Sequence, residues 1–119
     1  MRRFAPVLLL VAAACTATLY LRQESDTLYF GTAMPDGSGV TAAEWQQFLD
    51  DTVVPRFPGF TQWAAEGSWK GKREMTHVVV IVHPAGEEAK IREIIEEYKR
   101  RFRQEAVFQV RGEVWIPLR

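Results

Sequence analysis

Met75-Thr76-His77-Val78-Val79-Val80-Ile81-Val82-His83 opens the stretch that decides the fold. Apolar residues fall on both alternating faces, the pattern of a strand buried on two sides in the middle of a sheet. Pro84 and Gly86 stop it. From Glu87 to about Gln104 the period changes. Ile91, Ile94, Ile95, Tyr98 and Phe102 form one stripe at helical spacing. Glu87 and Glu88 open this helix, and Lys99, Arg100, Arg101 and Arg103 close it, each set with the sign the helix dipole favours. Glu88–Arg92, Glu96–Arg100 and Glu97–Arg101 are spaced as i,i+4 ion pairs. The basic cluster at 99–103 therefore reads as a solvated helix end, not a nucleic-acid patch. Ala106-Val107-Phe108-Gln109-Val110 begins the next strand.

Working outward, Thr27 to Ala33 reads as a first strand, and Pro35 to Gly39 as a turn cluster. Thr41 and Glu44 have capping-box spacing for a helix that runs to about Val53, with Trp45, Phe48, Leu49 and Thr52 or Val53 as its apolar stripe. Pro55 ends it and Pro58-Gly59 turns the chain. Phe60 to Trp69 reads as a second strand with Trp63 and Trp69 on one face, and Gly71 to Glu74 as a hairpin. The last strand spans Ala106 to Leu118, with a bend or bulge expected at Gly112-Glu113. The order β-α-β-β-α-β predicts an α+β, ferredoxin-like fold: an antiparallel sheet with two helices on one face.

The chain has 119 residues and is formally neutral, with 47% hydrophobic and 25% charged residues. That is one ordinary globular domain plus an N-terminal segment, and nothing in the charge points to nucleic acid as a partner. Residues 1–21 read as a targeting segment: Arg2 and Arg3, an apolar run from Phe4, then Ala12-Ala13-Ala14-Cys15. Three readings stand. Cys15 is a lipidation candidate in a weak lipobox, since Ala12 stands where leucine is usual. A signal peptidase could instead cut near Ala14. The uncharged run from Phe4 to Leu21, about 18 residues, could also stay as an anchor. Each reading places the domain in the cell envelope, outside the cytoplasmic membrane, and the anchored and lipidated forms are favoured over free secretion. Residues 22–26 read as a polar tether and 27–119 as the domain. Cys15 is the single cysteine, so no disulfide forms within one chain.

Four pieces of this sequence resemble a known family. They are Leu28-Tyr29-Phe30-Gly31 with Pro35-Asp36-Gly37; Glu44 to Leu49 with Val54-Pro55-Arg56-Phe57-Pro58; Gly67-Ser68-Trp69; and Tyr98 to Val107. Together they resemble the bacterial exported family known as domain of unknown function three-five-seven-four. Two positions depart from it: Ala106 replaces an expected serine, and the chain ends its last strand in Trp115-Ile116-Pro117. The resemblance implies export and a single domain. It transfers no catalytic residue.

The candidate chemistry is sparse. His77 and His83 share a face of one strand but lie about 20 Å apart, too far to share a metal. His83, at a strand end before Pro84, could act as a lone acid or base. Arg56, in a Pro-rich corner, could grip an anion or close a helix end. Tyr29, Trp69 and Tyr98 could line a pocket with polar tips, together with His83 and Arg56. No metal site and no cofactor is expected, and no set of residues marks a reaction. The sequence leans away from an enzyme. Its leading functional reading is a membrane-tethered binding or interaction module of the bacterial envelope. The alternative is a small enzyme or ligand binder of the dimeric α+β barrel type, with a pocket between sheet and helices. Because helices can cover only one side of the central strand, a homodimer through the uncovered face is also expected.

Overall fold

The computed structural model describes residues 18–118, together with Arg3. Strand β1 spans Leu19–Gly31, helix α1 Ala42–Phe48, β2 Thr61–Trp69, β3 Lys72–His83, α2 Glu88–Phe102 and β4 Phe108–Leu118. The four strands form one antiparallel sheet in the order β2-β3-β1-β4. This is the ferredoxin-like βαββαβ arrangement, with β3 beside β1 at the centre of the sheet; the expected burial of β3 on both sides holds on the Val79–Ile81 side, where the helices pack, and fails on the other at Val82, which is exposed.

Local chemistry sets each boundary. Thr41 accepts the Glu44 backbone N–H at 3.1 Å, and Glu44 accepts the Thr41 N–H at 3.0 Å, closing the expected capping box. After Phe48 the helix widens over Leu49–Val53, where the Val54 N–H reaches back five residues to the Leu49 carbonyl. Trp45, Phe48, Leu49, Thr52 and Val53 are all buried. In α2, Ile91, Ile94, Tyr98 and Phe102 are buried, with Ile95 at the margin. Arg103 ends the helix in the left-handed conformation, φ 52°. The basic end is dipole-matched and paired. Lys99 meets Glu96, Arg100 meets Glu97, and Arg101 meets both Glu97 and Asp51. The expected Glu97–Arg101 pair forms. Glu96 takes Lys99 in place of Arg100, one residue nearer along the helix.

The core lies between the sheet and the helices. Leu28, Phe30, Val79 and Ile81 meet Trp45, Phe48, Ile91, Ile94, Tyr98 and Phe102 there. Phe30 is its centre, with ring centroids 4.7 Å from Tyr98, 5.3 Å from Trp45 and 5.6 Å from Phe48.

The strands differ from expectation in four places. Residues 22–26 are not a tether but lie within β1, which begins at Leu19 and so takes in the last three residues assigned to the targeting segment. Their polarity suggested solvent. In the fold each finds a partner on β4, where Arg22 pairs with Glu113, and Asp26 is wholly buried. The rest of the targeting segment, residues 1–17, lies outside the described residues except Arg3. Second, the hairpin is a tight turn at Lys70-Gly71, both at positive φ (51° and 77°), so Lys72 to Glu74 join β3. Third, β4 starts at Phe108. Fourth, no bulge occurs at Gly112: the β1–β4 register runs unbroken from Leu19↔Leu118 to Tyr29↔Phe108, and Gly112 faces Ser25 within it.

β1 and β4 also outrun the sheet. β3 pairs with β1 only from Glu24 to Gly31, so residues 19–23 and 114–118 form a two-stranded arm projecting beyond the other strands.

Candidate functional site

Strand register sorts the side chains onto two faces. Leu28, Val79 and Gln62 align on the helix side. Tyr29, Val78, Trp63 and Phe108 align on the open side. No helix covers the latter. There, at the end of the sheet near the β2–β3 turn, lies a cleft of about 180 Å³. Tyr29, Trp69 and Phe108 wall it, the last two 5.5 Å apart between ring centroids in an edge-to-face arrangement. Gly31 and Gly67 make its floor, where a side chain does not fit. A Cβ at Gly31 would lie 2.8 Å from the Glu74 carboxylate, and one at Gly67 would collide with the Thr76 hydroxyl. Ser68, Thr76, Glu74, Gln104 and Glu105 supply polar groups. Glu74 accepts the Ala33 N–H at 2.7 Å, Gln104 donates to the Ala33 carbonyl at 2.8 Å, and Glu105 pairs with Lys70 at the rim. No lysine or arginine lines the cleft itself.

The expected site residues do not converge. Tyr29 and Trp69 belong to the open-face cleft. Tyr98 lies on the other side of the sheet, wholly buried, its hydroxyl donating to the Gly31 carbonyl at 2.6 Å. Burial, aided by the charges of Glu74 and Glu44, raises its phenol well above the ordinary range, so it stays protonated. Arg56 donates to the Thr52 carbonyl and to Glu93, both at 2.9 Å, closing the end of the first helix. Arg56 and His83 do border one shallow depression with Phe57, Pro58, Gly59, Glu87 and Lys90, but this is separate from the cleft. The pocket expected between sheet and helices is filled by the aromatic core. The physical reason is size: Phe30, Phe48, Tyr98 and Trp45 together leave no room there.

His83 belongs to a buried polar cluster that the sequence did not announce. Its Nε2 lies 2.5 Å from Asp26 Oδ2, and its Nδ1 lies 2.8 Å from the Pro84 carbonyl. Both ring nitrogens face acceptors. Asp26 also accepts from Gln109 at 2.8 Å and from Arg111 Nε at 3.0 Å. Burial alone pushes the Asp26 carboxyl up; hydrogen bonds from Arg111, Gln109 and His83, with the guanidinium charge, outweigh it and hold the carboxyl below its ordinary value. His83, expected at a strand end as a lone acid or base, is buried, with a partner at each ring nitrogen. The cluster ties β1, β3 and β4 together across the end of the core. His77, on the same side of β3 but six residues away, stacks on Trp45 at 4.1 Å, and burial lowers its pKa.

Sequence reasoning missed Asp26, Gln109 and Arg111, and also the cleft's Gly31, Gly67, Glu74, Thr76, Gln104 and Phe108. Asp26 had a signal. It continues the alternation of Leu28 and Phe30 by two residues, so extending the strand backwards would have placed it on the core face. Among the described residues, no three His, Cys, Asp or Glu side chains stand where they could hold a metal ion.

The fold and its open-faced cleft define a small α+β domain of ferredoxin-like type. The chain belongs to the bacterial family described as "protein of unknown function (DUF3574)", which matches residues 25–117. No curated protein matches it by sequence. Among solved structures, a phage SAM lyase in its apo state is similar, with TM-score 0.62 and 19% identity over 82% of this chain and 90% of that one. The same lyase in complex with S-methyl-5′-thioadenosine gives TM-score 0.58 and 18% identity, covering 81% and 90%. CPII, a nitrogen regulatory PII-like protein from Thiomonas intermedia K12 bound to ADP, AMP and bicarbonate, gives TM-score 0.52 and 11% identity, covering 84% and 98%. At these identities the likeness is one of fold.

Proposed function

We propose that this domain binds a small, uncharged, planar ligand of nucleoside type in the open-face cleft. One observation carries the reading: an aromatic-walled, glycine-floored cleft that contains carboxylates and no cation. Aromatic walls favour a flat ring system, and a few convergent polar groups fix its orientation. Glu105 is offset by its pair with Lys70 at the rim, but Glu74, whose carboxylate meets only the Ala33 N–H, disfavours a phosphate inside the cleft. The lyase among the similar structures was solved with an uncharged nucleoside thioether, which supports the ligand class. The adenine nucleotides held by the PII-like protein fit this lining less well. The cleft is smaller than the ~300–1,000 Å³ of pockets that enclose a drug-sized ligand, so it holds a ring and leaves the remainder outside. Glu74 and Glu105 are engaged with Ala33 and Lys70, which favours binding over acid–base chemistry.

Calorimetric titration with S-methyl-5′-thioadenosine, adenosine and AMP tests this. The nucleosides should bind at least tenfold more tightly than AMP, and Trp69→Ala should weaken them at least tenfold. Tighter binding of AMP, or nucleoside binding indifferent to Trp69→Ala, contradicts the reading.

We further infer that the domain is held at the outer side of the cytoplasmic membrane. The Arg2-Arg3 start, the apolar run and Cys15 support it. Because β1 takes Leu19 to Leu21 into the sheet, the uncharged run outside it shrinks to residues 4–18. That is short of the ~20 residues a membrane span needs, which favours lipidation or cleavage over a retained anchor. Mass spectrometry of the native N-terminus should find a chain starting at a lipid-modified Cys15. A chain that retains Met1, or a soluble one starting without lipid, contradicts lipidation.

A further inference from the structure

Alternation sorts the projecting arm into two sides, and neither is covered. Leu19, Leu21, Ile116 and Leu118 lie on the open side of the sheet, while Tyr20, Trp115 and Pro117 lie on the other, where no helix reaches. Leu19 is 68% exposed, Trp115 57% and Tyr20 54%. Two strands alone are marginal in water even when one side is polar. Within residues 19–23 and 114–118 the one charged side chain is Arg22, near the base of the arm, and it pairs with Glu113.

The arm is also the part of the domain nearest the N-terminal segment. Residues 16–18 alone separate Cys15 from Leu19. Fully extended, the four steps from Cys15 to Leu19 reach at most about 14 Å. A lipid on Cys15, or an apolar run retained before it, therefore keeps Leu19 inside or beside the headgroup layer. The side chains agree with that position. Tyr20 and Trp115 are of the types that settle at a membrane–water boundary. Arg119 follows Leu118 in the sequence, and the long side chain of an arginine lets its charge reach back to the headgroups.

We propose that the arm dips tip first into the boundary layer of the bilayer, with Leu19 and Leu118 deepest and the Arg22–Glu113 pair in water. This rests on the reading that the domain is held at the membrane, and not on what the cleft binds. A bilayer covers both sides of a thin ribbon at once. A protein surface covers one, roughly 16 Å by two strand widths or about 150 Å², far below the ~800 Å² one partner contributes to a stable complex. The strand edges still need water or headgroups for their hydrogen bonds, so the tip stops at the acyl boundary and does not cross it. The cleft lies at the other end of β1. Tyr29 is ten residues beyond Leu19, about 33 Å along the strand, so the inserted arm holds the cleft clear of the headgroups.

Bicelles of phosphatidylcholine and phosphatidylglycerol, with a nitroxide on the headgroup of some lipids, test this on the full chain as the cell processes it. The amide signals of Leu19 to Leu21 and of Trp115, Ile116 and Leu118 should lose at least half their intensity. The loss should fade toward Gln23 and Val114, and Trp69, Gly71 and Phe108 should keep their signals. Ile116→Asp should abolish the loss at the arm with unchanged far-UV circular dichroism, whereas Gln47→Asp, on the exposed side of α1, should preserve it. A chain that joins the bicelles without any loss at the arm overturns this proposal and leaves the membrane-held domain standing. A chain that stays free of them overturns both. Arm amides protected from exchange without nitroxide broadening, and more so at higher protein concentration, would mean that a second copy covers the arm, which overturns the proposal as well.

Discussion

Phe102→Ala is expected to lower the free energy of unfolding by about 3–5 kcal/mol, a large part of what a domain of this size possesses. Phe102 is 3% exposed at the end of the α2 stripe, with its ring 4.9 Å from Tyr98 and 6.3 Å from Phe48. Removing it takes away apolar surface and leaves a cavity that the tilted, edge-to-face aromatics around it cannot collapse into, because their other edges are held by Phe30 and Trp45. Arg100→Ala, two residues back on the outer face, is the internal comparison. Arg100 pairs with Glu97 in solvent, and its loss should cost under about 0.5 kcal/mol. Urea unfolding of the two variants measures the difference. Equal losses would mean that the buried face of α2 is misassigned.

A similar loss, about 3–5 kcal/mol, is expected for Asp26→Asn. The substitution keeps the shape of the side chain but removes the charge that His83 and Arg111 share. It takes a carboxylate from beside the buried His83 ring and from Arg111, and it frees the edge strand β4 from one of its ties to the centre of the sheet. The variant also carries a pH signature. In the native protein the Asp26 carboxyl is held below the ordinary aspartate value of 3.8. Its contribution is therefore fully present above that value, where the unfolded chain is ionised too. It is lost as pH falls below 3.8 toward the folded value, because the unfolded state then binds a proton that the folded state resists. Stability of the native chain should fall over that acid window more steeply than that of Asp26→Asn. Asp51 and Glu97, held down by their hydrogen bonds to Arg101 and Arg100, keep some acid sensitivity in both proteins. Urea midpoints from neutral pH to below 3.8 check this. Parallel pH profiles would remove Asp26 from the account of acid stability.

How much of this was legible depended on whether a residue's neighbours lie along the chain. The α2 stripe and the Thr41–Glu44 box are written in local spacing and are found in the structure, whereas β3, apolar on both sides in sequence, is covered by helices on its Val79–Ile81 side alone and leaves Val82 exposed on the other. Residues 22–26 were not legible, because what makes them strand lies elsewhere. Arg22 needs Glu113, and Asp26 needs Arg111 and His83, partners supplied only when β4 and β3 come alongside. The cleft failed for a related reason. In Leu28-Tyr29-Phe30 every residue is apolar, so alternation could not say which face the helices would take. Tyr29 and Trp69 were grouped with Tyr98 and His83 by residue type, and the sheet then came between them. Gly31 and Gly67 had no visible role until Glu74 and Thr76 were seen to occupy the space above them.

The central claim is that this domain works through the open side of its sheet. The most direct measurement is a map of amide chemical shifts during titration with S-methyl-5′-thioadenosine. The account predicts that the largest changes fall at Gly31, Gly67, Ser68, Trp69, Ala106 and Phe108, around the cleft. Changes centred instead on Phe57, His83 and Lys90, on the helix side, would contradict it.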